Sequence, residues 1–399
     1  MENNWRHRRT IGWRLLILRL MDGGILVVLT AALAYGQAAP AQSPRAPQPA
    51  AAKAQMADDV YKDIRLLKGL TVDQFLDTMG FFSASTNMNC IDCHGLPAAG
   101  DQKHYADDTK LKTKARMMIG MMQAINRQNF GGKSVVTCYT CHRGGEDPKS
   151  TPSLAVQYSE PLDDPDEIEI TSAADEAPSP DQLFDKYMQA LGGAQRLASV
   201  TSIVAKGNYV GFDTETEKRT VEVYLKAPGV RSTVVHYRAG DGITVYDGSA
   251  AWISQPDKPI PFIELTGGQL EGAKIDATAF FPTGLRKLRG SWKVGMTTIE
   301  GREVWAAVGT GPEPPVKLFF DKGTGLLVRL ARYIQLPIGR VPAHVDFDDY
   351  REVAGTGVKM PFKWVATWVD GQSTTTLTDV QANVPIDAAK FARPAAVRR

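Results

Sequence analysis

Cys90-Ile91-Asp92-Cys93-His94 and Cys138-Tyr139-Thr140-Cys141-His142 are two copies of one pattern, C-x-x-C-H, and together they use all 4 cysteines of the chain. Two of its 6 histidines therefore follow a cysteine pair directly. In a c-type haem, two Cys form thioethers with the vinyl groups and the adjacent imidazole reaches the iron, so the pattern reads as covalent haem attachment. A zinc site made of two C-x-x-C pairs, or two disulfides, would employ the cysteines but leave His94 and His142 without a reason. The expectation is haem c, two per chain, attached through Cys90, Cys93, Cys138 and Cys141, with His94 and His142 on the irons.

Working outward, each motif follows a helical pattern. Val60, Ile64 and Leu67 share one stripe, and Val72, Phe75, Leu76 and Met79 repeat at i, i+3, i+4, i+7. The longest stripe, Leu111, Ala115, Met118, Met122 and Ile125, starts after Asp107-Asp108-Thr109 and stops at Gly131-Gly132. The unit reads as an internal duplication of helix, loop and motif. A thioether on the second axial face would fill each iron's coordination and raise its potential. Met79 is the candidate for the first haem, with Met88 a sterically poorer rival. Met118 is the candidate for the second, among Met117, Met121 and Met122. Methionines on a helix stripe also serve as plain core filler. His104 reads as a solvated residue before a cap. Arg116 and Arg143 are either propionate partners or ordinary surface residues.

The segments Phe75-Leu76-Asp77-Thr78-Met79, Cys90 to His94, Ala115-Arg116-Met117-Met118 with Ala124-Ile125-Asn126, and Val136 to Gly144 resemble the cytochrome c subunit of bacterial photosynthetic reaction centres. The resemblance covers residues 57–158. It implies Met79 and Met118 as distal ligands, and a reaction centre as the electron acceptor. There are departures. That family usually carries four haems, its members are often anchored through an N-terminal Cys, and a further ligating His can lie where residues 119–137 here have none.

Five arginines up to Arg19 precede the uncharged apolar run Gly23 to Tyr35, and small residues follow. Residues 1–38 read as a signal peptide, or as a retained anchor, although the run falls short of the ~20 residues a membrane span needs. Residues 39–56 form an Ala/Pro-rich tether. The implied location is the periplasm or cell envelope, with an uncleaved N-terminus as the alternative means of tethering. A net charge of +2 argues against nucleic acid as a partner, and 23% charged with 43% hydrophobic residues is a globular composition.

Residues 159–178 are acidic and proline-containing, a solvated linker. Ser179-Pro180 then opens a helix expected through about Leu197. From residue 201 the pattern alternates, clearest in Val221, Val223 and Leu225, with further strands around 201–209, 230–237, 302–309, 316–321, 326–333, 343–350, 362–368 and 373–380. A less regular helix is expected over 277–288. Ala190-Leu-Gly-Gly193, Phe320-Asp321, Thr324 to Arg329 and Phe347 to Tyr350 resemble periplasmic lipoprotein-carrier-like half-barrels. That resemblance implies a cavity for a lipid or other apolar ligand.

The sequence therefore implies a multidomain chain, with a mainly α dihaem cytochrome c domain at 57–158 and an antiparallel β half-barrel (α+β) domain at 179–395. Its expected role is one-electron transfer to or from redox protein partners, such as a membrane-bound reaction centre or a respiratory complex, and not enzyme catalysis. The alternatives are an apolar-ligand-binding module with accessory haems, and a haem peroxidase with one iron left open.

Overall fold

The computed structural model describes residues 54–154, 177–256, 258 and 260–394. The signal or anchor segment and most of the acidic linker lie outside them.

The first part is helical. Helices α1 (Ala57–Val60), α2 (Val72–Thr86), α3 (Cys90–His94), α4 (Pro97–Gly100), α5 (Lys110–Asn129) and α6 (Cys138–His142) follow in order. The Val60–Leu67 stripe forms only the single turn α1, and Asp63 takes a left-handed φ of 64° that a continuing helix forbids. Gln74 Oε1 accepts from the Thr71 N–H at 3.2 Å to start α2, and Asn87 ends it in the left-handed conformation. Thr109 caps α5 by accepting from the Lys112 N–H at 3.0 Å.

After residue 178 the chain builds one 13-stranded sheet. Helix α7 (Pro180–Ala190) is capped by Ser179, whose hydroxyl accepts from the Gln182 N–H at 3.2 Å. The expected single helix is broken by Gly192 and Gly193, both at positive φ, so α8 (Ala194–Ser199) is separate. The strands are β1 (Ser202–Gly211), β2 (Arg219–Lys226), β3 (Val230–Tyr237), β4 (Gly240–Tyr246), β5 (Ala251–Ser254), β6 (Phe262–Leu265), β7 (Ser291–Ile299), β8 (Arg302–Thr310), β9 (Val316–Asp321), β10 (Leu327–Leu336), β11 (Gly339–Val353), β12 (Val358–Trp368) and β13 (Gly371–Ala382). They pair antiparallel in the order β6-β5-β4-β3-β2-β1-β13-β12-β11-β10-β9-β8-β7.

Between the edge strands β6 and β7, helix α9 (Gly267–Thr278) and a 3-10 turn at Pro282–Leu288 cross one face. The expected helix over 277–288 is thus displaced: the α-helix ends at Thr278, and the proline opens a tighter turn. Helix α9 packs on β3, β4 and β10. In sheet order β4 and β10 are seven steps apart, about 34 Å in a flat sheet at ~4.8 Å per step. One helix, ~10–12 Å across with its side chains, touches both only if the sheet curls strongly. The result is the antiparallel half-barrel read from the sequence.

Its concave face is filled by Leu183, Phe184, Tyr187, Ile275 and Leu285 against Leu318, Phe320, Leu330 and Leu377. Trp252, Trp305 and Trp364 are buried, as core aromatics should be. The expected apolar-ligand cavity finds no support: the pocket beside Tyr187, Phe281 and Met360 measures about 40 Å³, too small for an acyl chain. The helices already occupy the volume an acyl chain would need.

The helical part and the sheet pack together. Phe81 and Met122 form one cluster with Ile334, Leu336, Ile338 and Val341 from the β10–β11 hairpin. At Gly339 a Cβ would stand 2.9 Å from the Phe81 ring, so only glycine allows that approach. Asp73, 4% exposed, accepts from the Thr266 N–H at 2.6 Å and from its hydroxyl, and Gln269 Nε2 donates to Asp77 at 2.7 Å.

Candidate functional site

Each C-x-x-C-H motif is one turn of helix, α3 or α6. Positions i, i+3 and i+4 share a helix face, so each pair of thiols and its imidazole project to one side. Such short helices need their ends satisfied. Asn89 accepts from the Ile91 and Asp92 N–H groups at 3.0 and 3.2 Å, while Asp92 accepts from the Asn89 N–H at 2.8 Å. Thr137 and Thr140 repeat that reciprocal cap before the second motif. Asn89 and Thr137 stand immediately before each Cys pair and Asp92 and Thr140 lie within it, although it is the cysteines that draw attention.

The two turns dock crosswise. Helix α3 packs on α5, where Thr109 Oγ1 donates to the Cys93 carbonyl. Helix α6 packs on α2, where the Gly144 N–H donates to the Ser85 carbonyl at 3.0 Å. Asn126, 5% exposed, fixes the approach to the second motif by donating to the Val136 carbonyl at 2.7 Å and accepting from the Val136 N–H at 2.9 Å. A lone Asn on a helix stripe gives no hint of that role.

The histidines are oriented alike. His94 Nδ1 lies 3.0 Å from the Tyr105 carbonyl, and His142 Nδ1 lies 3.1 Å from the Gly145 carbonyl. A carbonyl only accepts, so Nδ1 carries the proton and Nε2 keeps its lone pair for a metal. Burial lowers the pKa of His94, favouring the neutral ring, although the Tyr105 hydrogen bond works the other way.

Cys90, Cys93, His94, Cys138 and His142 line a single chamber of about 1340 Å³, together with Met79, Met88 and Met118. Cys141 is exposed and is not part of that wall. Single-ligand pockets run about 300–1,000 Å³, so this space exceeds one such site. Phe75, Leu76, Phe82, Leu111 and Ile119 supply apolar wall. The donor set fits haem: two thiols and a pre-oriented imidazole, twice, with a thioether from each long helix in the same space. It does not fit zinc, since no three His, Cys, Asp or Glu side chains gather as a metal group among the described residues. Burial raises the Cys93 thiol and pushes Cys138 up to about 11. All four cysteines are free of disulfides.

Charged residues brace the wall. Arg116 Nη2 donates to Asp63 Oδ2 at 2.6 Å and also pairs with Asp108. Arg65 first, then Arg116, hold the Asp63 carboxyl well below its ordinary range. Lys112 Nζ donates to the Tyr105 and Ala106 carbonyls at 2.9 and 3.0 Å, supporting the segment that orients His94. His104 pairs with Asp107 at 2.7 Å and lies outside the chamber wall. No helix among the described residues is long and apolar enough to cross a membrane.

Solved structures similar to this chain include a LolA superfamily protein from Nitrosomonas europaea (12% identity, TM-score 0.36, 54% of this chain and 99% of that one). A DUF1329 family protein from Desulfovibrio piger is similar too (10% identity, TM-score 0.36, 53% and 96%). Residues 26–194 match the family described as photosynthetic reaction centre cytochrome C subunit. Among curated proteins, a photosynthetic reaction center cytochrome c subunit of Roseobacter denitrificans is 36% identical over 98 residues, which is 23% of this chain and 26% of that protein. The corresponding subunit of Thermochromatium tepidum is 34% identical over 97 residues, 23% of each chain. The chain thus spans about a quarter of the length of the curated relatives it matches. The motif-bearing part of this chain is therefore similar to the photosynthetic reaction centre cytochrome c subunit family, as its two C-x-x-C-H segments imply.

Proposed function

We propose that this chain is an exported c-type cytochrome with two haems, working as a one-electron carrier on the periplasmic side of a membrane. The carrying observation is the shared chamber, lined by Cys90, Cys93 and His94 of the first motif, by Cys138 and His142 of the second, and by Met79 and Met118 from α2 and α5. Haem c, when bound, supplies a reversible Fe(III)/Fe(II) couple. The chain's own residues do the rest. The four cysteines fix the groups covalently, so none is lost between turnovers. His94 and His142 present Nε2 because backbone carbonyls hold Nδ1. Met79 and Met118 would supply the further iron ligands beside His94 and His142, which would leave no place for a substrate and so separate a carrier from a peroxidase. Packing both groups in one chamber favours electron passage between them. The electron partners are redox proteins, with a membrane-bound reaction centre or respiratory complex as the class that the resemblance suggests.

The test begins with denaturing electrophoresis and haem staining, where colour should stay on the band and the mass should include two haems. The ferric protein should show the weak near-infrared band of Met–iron ligation and bind carbon monoxide poorly when reduced. Met79→Ala should open only the first haem and Met118→Ala only the second, each lowering that haem's potential. A high-spin haem in the unaltered protein, or both variants keeping the full near-infrared band, would overturn the carrier reading.

A further inference from the structure

Strands β5 and β6 form the hairpin at one edge of the sheet, more than a hundred residues beyond the second motif. Even so, Ile260, Pro261, Phe262 and Glu264 line the same chamber as Met79 and His94, and so does Arg393 from the end of the described chain. Helix α2, which carries Met79, packs on β6. The Arg393 guanidinium is 3.0 Å from Glu264 Oε2, and its carbon lies 4.9 Å from the centre of the Phe262 ring. The Glu264 side chain is 16% exposed and that of Arg393 is 41% exposed. An acid is therefore held in an apolar wall with its counter-charge on the solvent side.

We infer that the Glu264–Arg393 pair, supplied by the β-domain, sets the electrostatic potential on the Met79 side of the chamber and with it the reduction potential of the haem bound there. The inference rests on the two-haem reading above. Oxidised haem carries one more positive charge than reduced haem. A nearby carboxylate therefore favours the oxidised form and lowers the potential, and a guanidinium does the reverse. Paired, the two charges largely cancel at a distance. Unpaired, the half-buried carboxylate acts more strongly than the guanidinium, because Glu264 is 16% exposed while Arg393, 41% exposed, is partly screened by water. Glu264 and Arg393 are positioning residues in this scheme, acting on the haem through space and not as its ligands.

The test is a spectroelectrochemical titration of the full-length, haem-loaded protein. Arg393→Gln should lower one midpoint potential and leave the other in place, and the haem that moves should be the one Met79→Ala also lowers. Glu264→Gln should raise that same midpoint. The double variant should return close to the unaltered value, and Arg393→Lys should hold it. Two haems by mass with both potentials unmoved in the single variants would overturn this inference alone. Equal shifts of both haems would also overturn it, since the effect would then not be local. A mass lacking two haems would overturn the cytochrome reading together with it.

Discussion

The helical region, with the β5–β6 hairpin and Arg393 at its rim, borders an open chamber of about 1340 Å³, whereas the pocket among Tyr187, Phe281 and Met360 in the sheet core measures about 40 Å³. In the sheet, Phe319, Phe320, Leu327 and Leu330 are all fully buried, and Phe184 and Tyr187 lie 6.0 and 5.2 Å from the Phe320 ring. In the helical region, Leu76, Met117 and Met121 remain exposed and the two long helices bury few side chains. Protein interiors are close-packed. One region carries its own core; on the two-haem proposal the other would be filled by its haems, which would then be structural as well as chemical for α2 and α5.

The largest effect expected follows directly. Replacing Cys90, Cys93, Cys138 and Cys141 together by Ala should leave the chamber unfilled, and backbone amides of α3, α5 and α6 should lose most of their protection in hydrogen exchange. Amides of β1, β2 and β8–β13 should keep theirs, since that core does not touch the chamber. Unchanged protection in α5 would break the comparison, because the helices would then have a core of their own.

The converse change sharpens it. Phe320→Ala removes a fully buried ring from the centre of the sheet core. It should destabilise the protein by about 3–5 kcal/mol, read from chemical denaturation of the sheet signal. The haem absorption of the folded protein should not change.

What could be read in advance divides along the same line. The motifs, α2, α5 and the strands β2, β3 and β8–β13 follow local spacing, and local spacing is what a sequence displays. Strands β4–β7 lack such a signal: β4 opens on Gly240-Asp-Gly242, β5 and β6 span only four residues each, and β7 buries only Gly295 and Ile299. Helix α9 lacks a clean apolar stripe since it is enclosed on several sides, with Gly272 against the Arg332 guanidinium. Asp73 and Asp77 look like the solvated face of α2, yet Thr266 and Gln269 of the other region cover them. Likewise, nothing in Phe262, Glu264 or Arg393 announces a chamber wall. Docking between distant segments leaves no periodic trace.

A third prediction probes the sheet's charge pairing. Arg329, its side chain 6% exposed, bonds through Nη2 to Asp346 Oδ2 at 3.1 Å and also through Nε. Burial alone would raise the Asp346 carboxyl, but hydrogen bonds from His344 and Arg329 hold it below its ordinary value. A carboxyl lowered on folding adds stability above its unfolded pKa of ~3.9, and that stability is lost as pH falls through the lower folded value. Asp346→Asn should therefore destabilise the sheet at neutral pH, by about 3 kcal/mol given the buried guanidinium left behind. The difference from the unaltered protein should shrink below pH ~4. A constant difference down to pH 2 would place the effect in packing and not in charge.

The smallest effect concerns the seam between the two regions. Proteolysis within the acidic segment 159–178 should yield two pieces, with all haem on the first. The Phe81, Met122, Ile334 and Ile338 cluster and the Asp73–Thr266 hydrogen bonds should hold them together through size-exclusion chromatography. Asp73→Ala leaves the Thr266 N–H buried without its acceptor, a loss of about 1–3 kcal/mol. At ~1.4 kcal/mol per tenfold, the nicked halves should then bind each other roughly ten- to a hundredfold more weakly, with the haem spectrum of the first piece unaltered. If the nicked, unaltered protein separates at once, the seam contributes little to association. If Asp73→Ala instead shifts the haem spectrum before any cleavage, the seam shapes the chamber itself, and the two regions are less independent than their cores suggest.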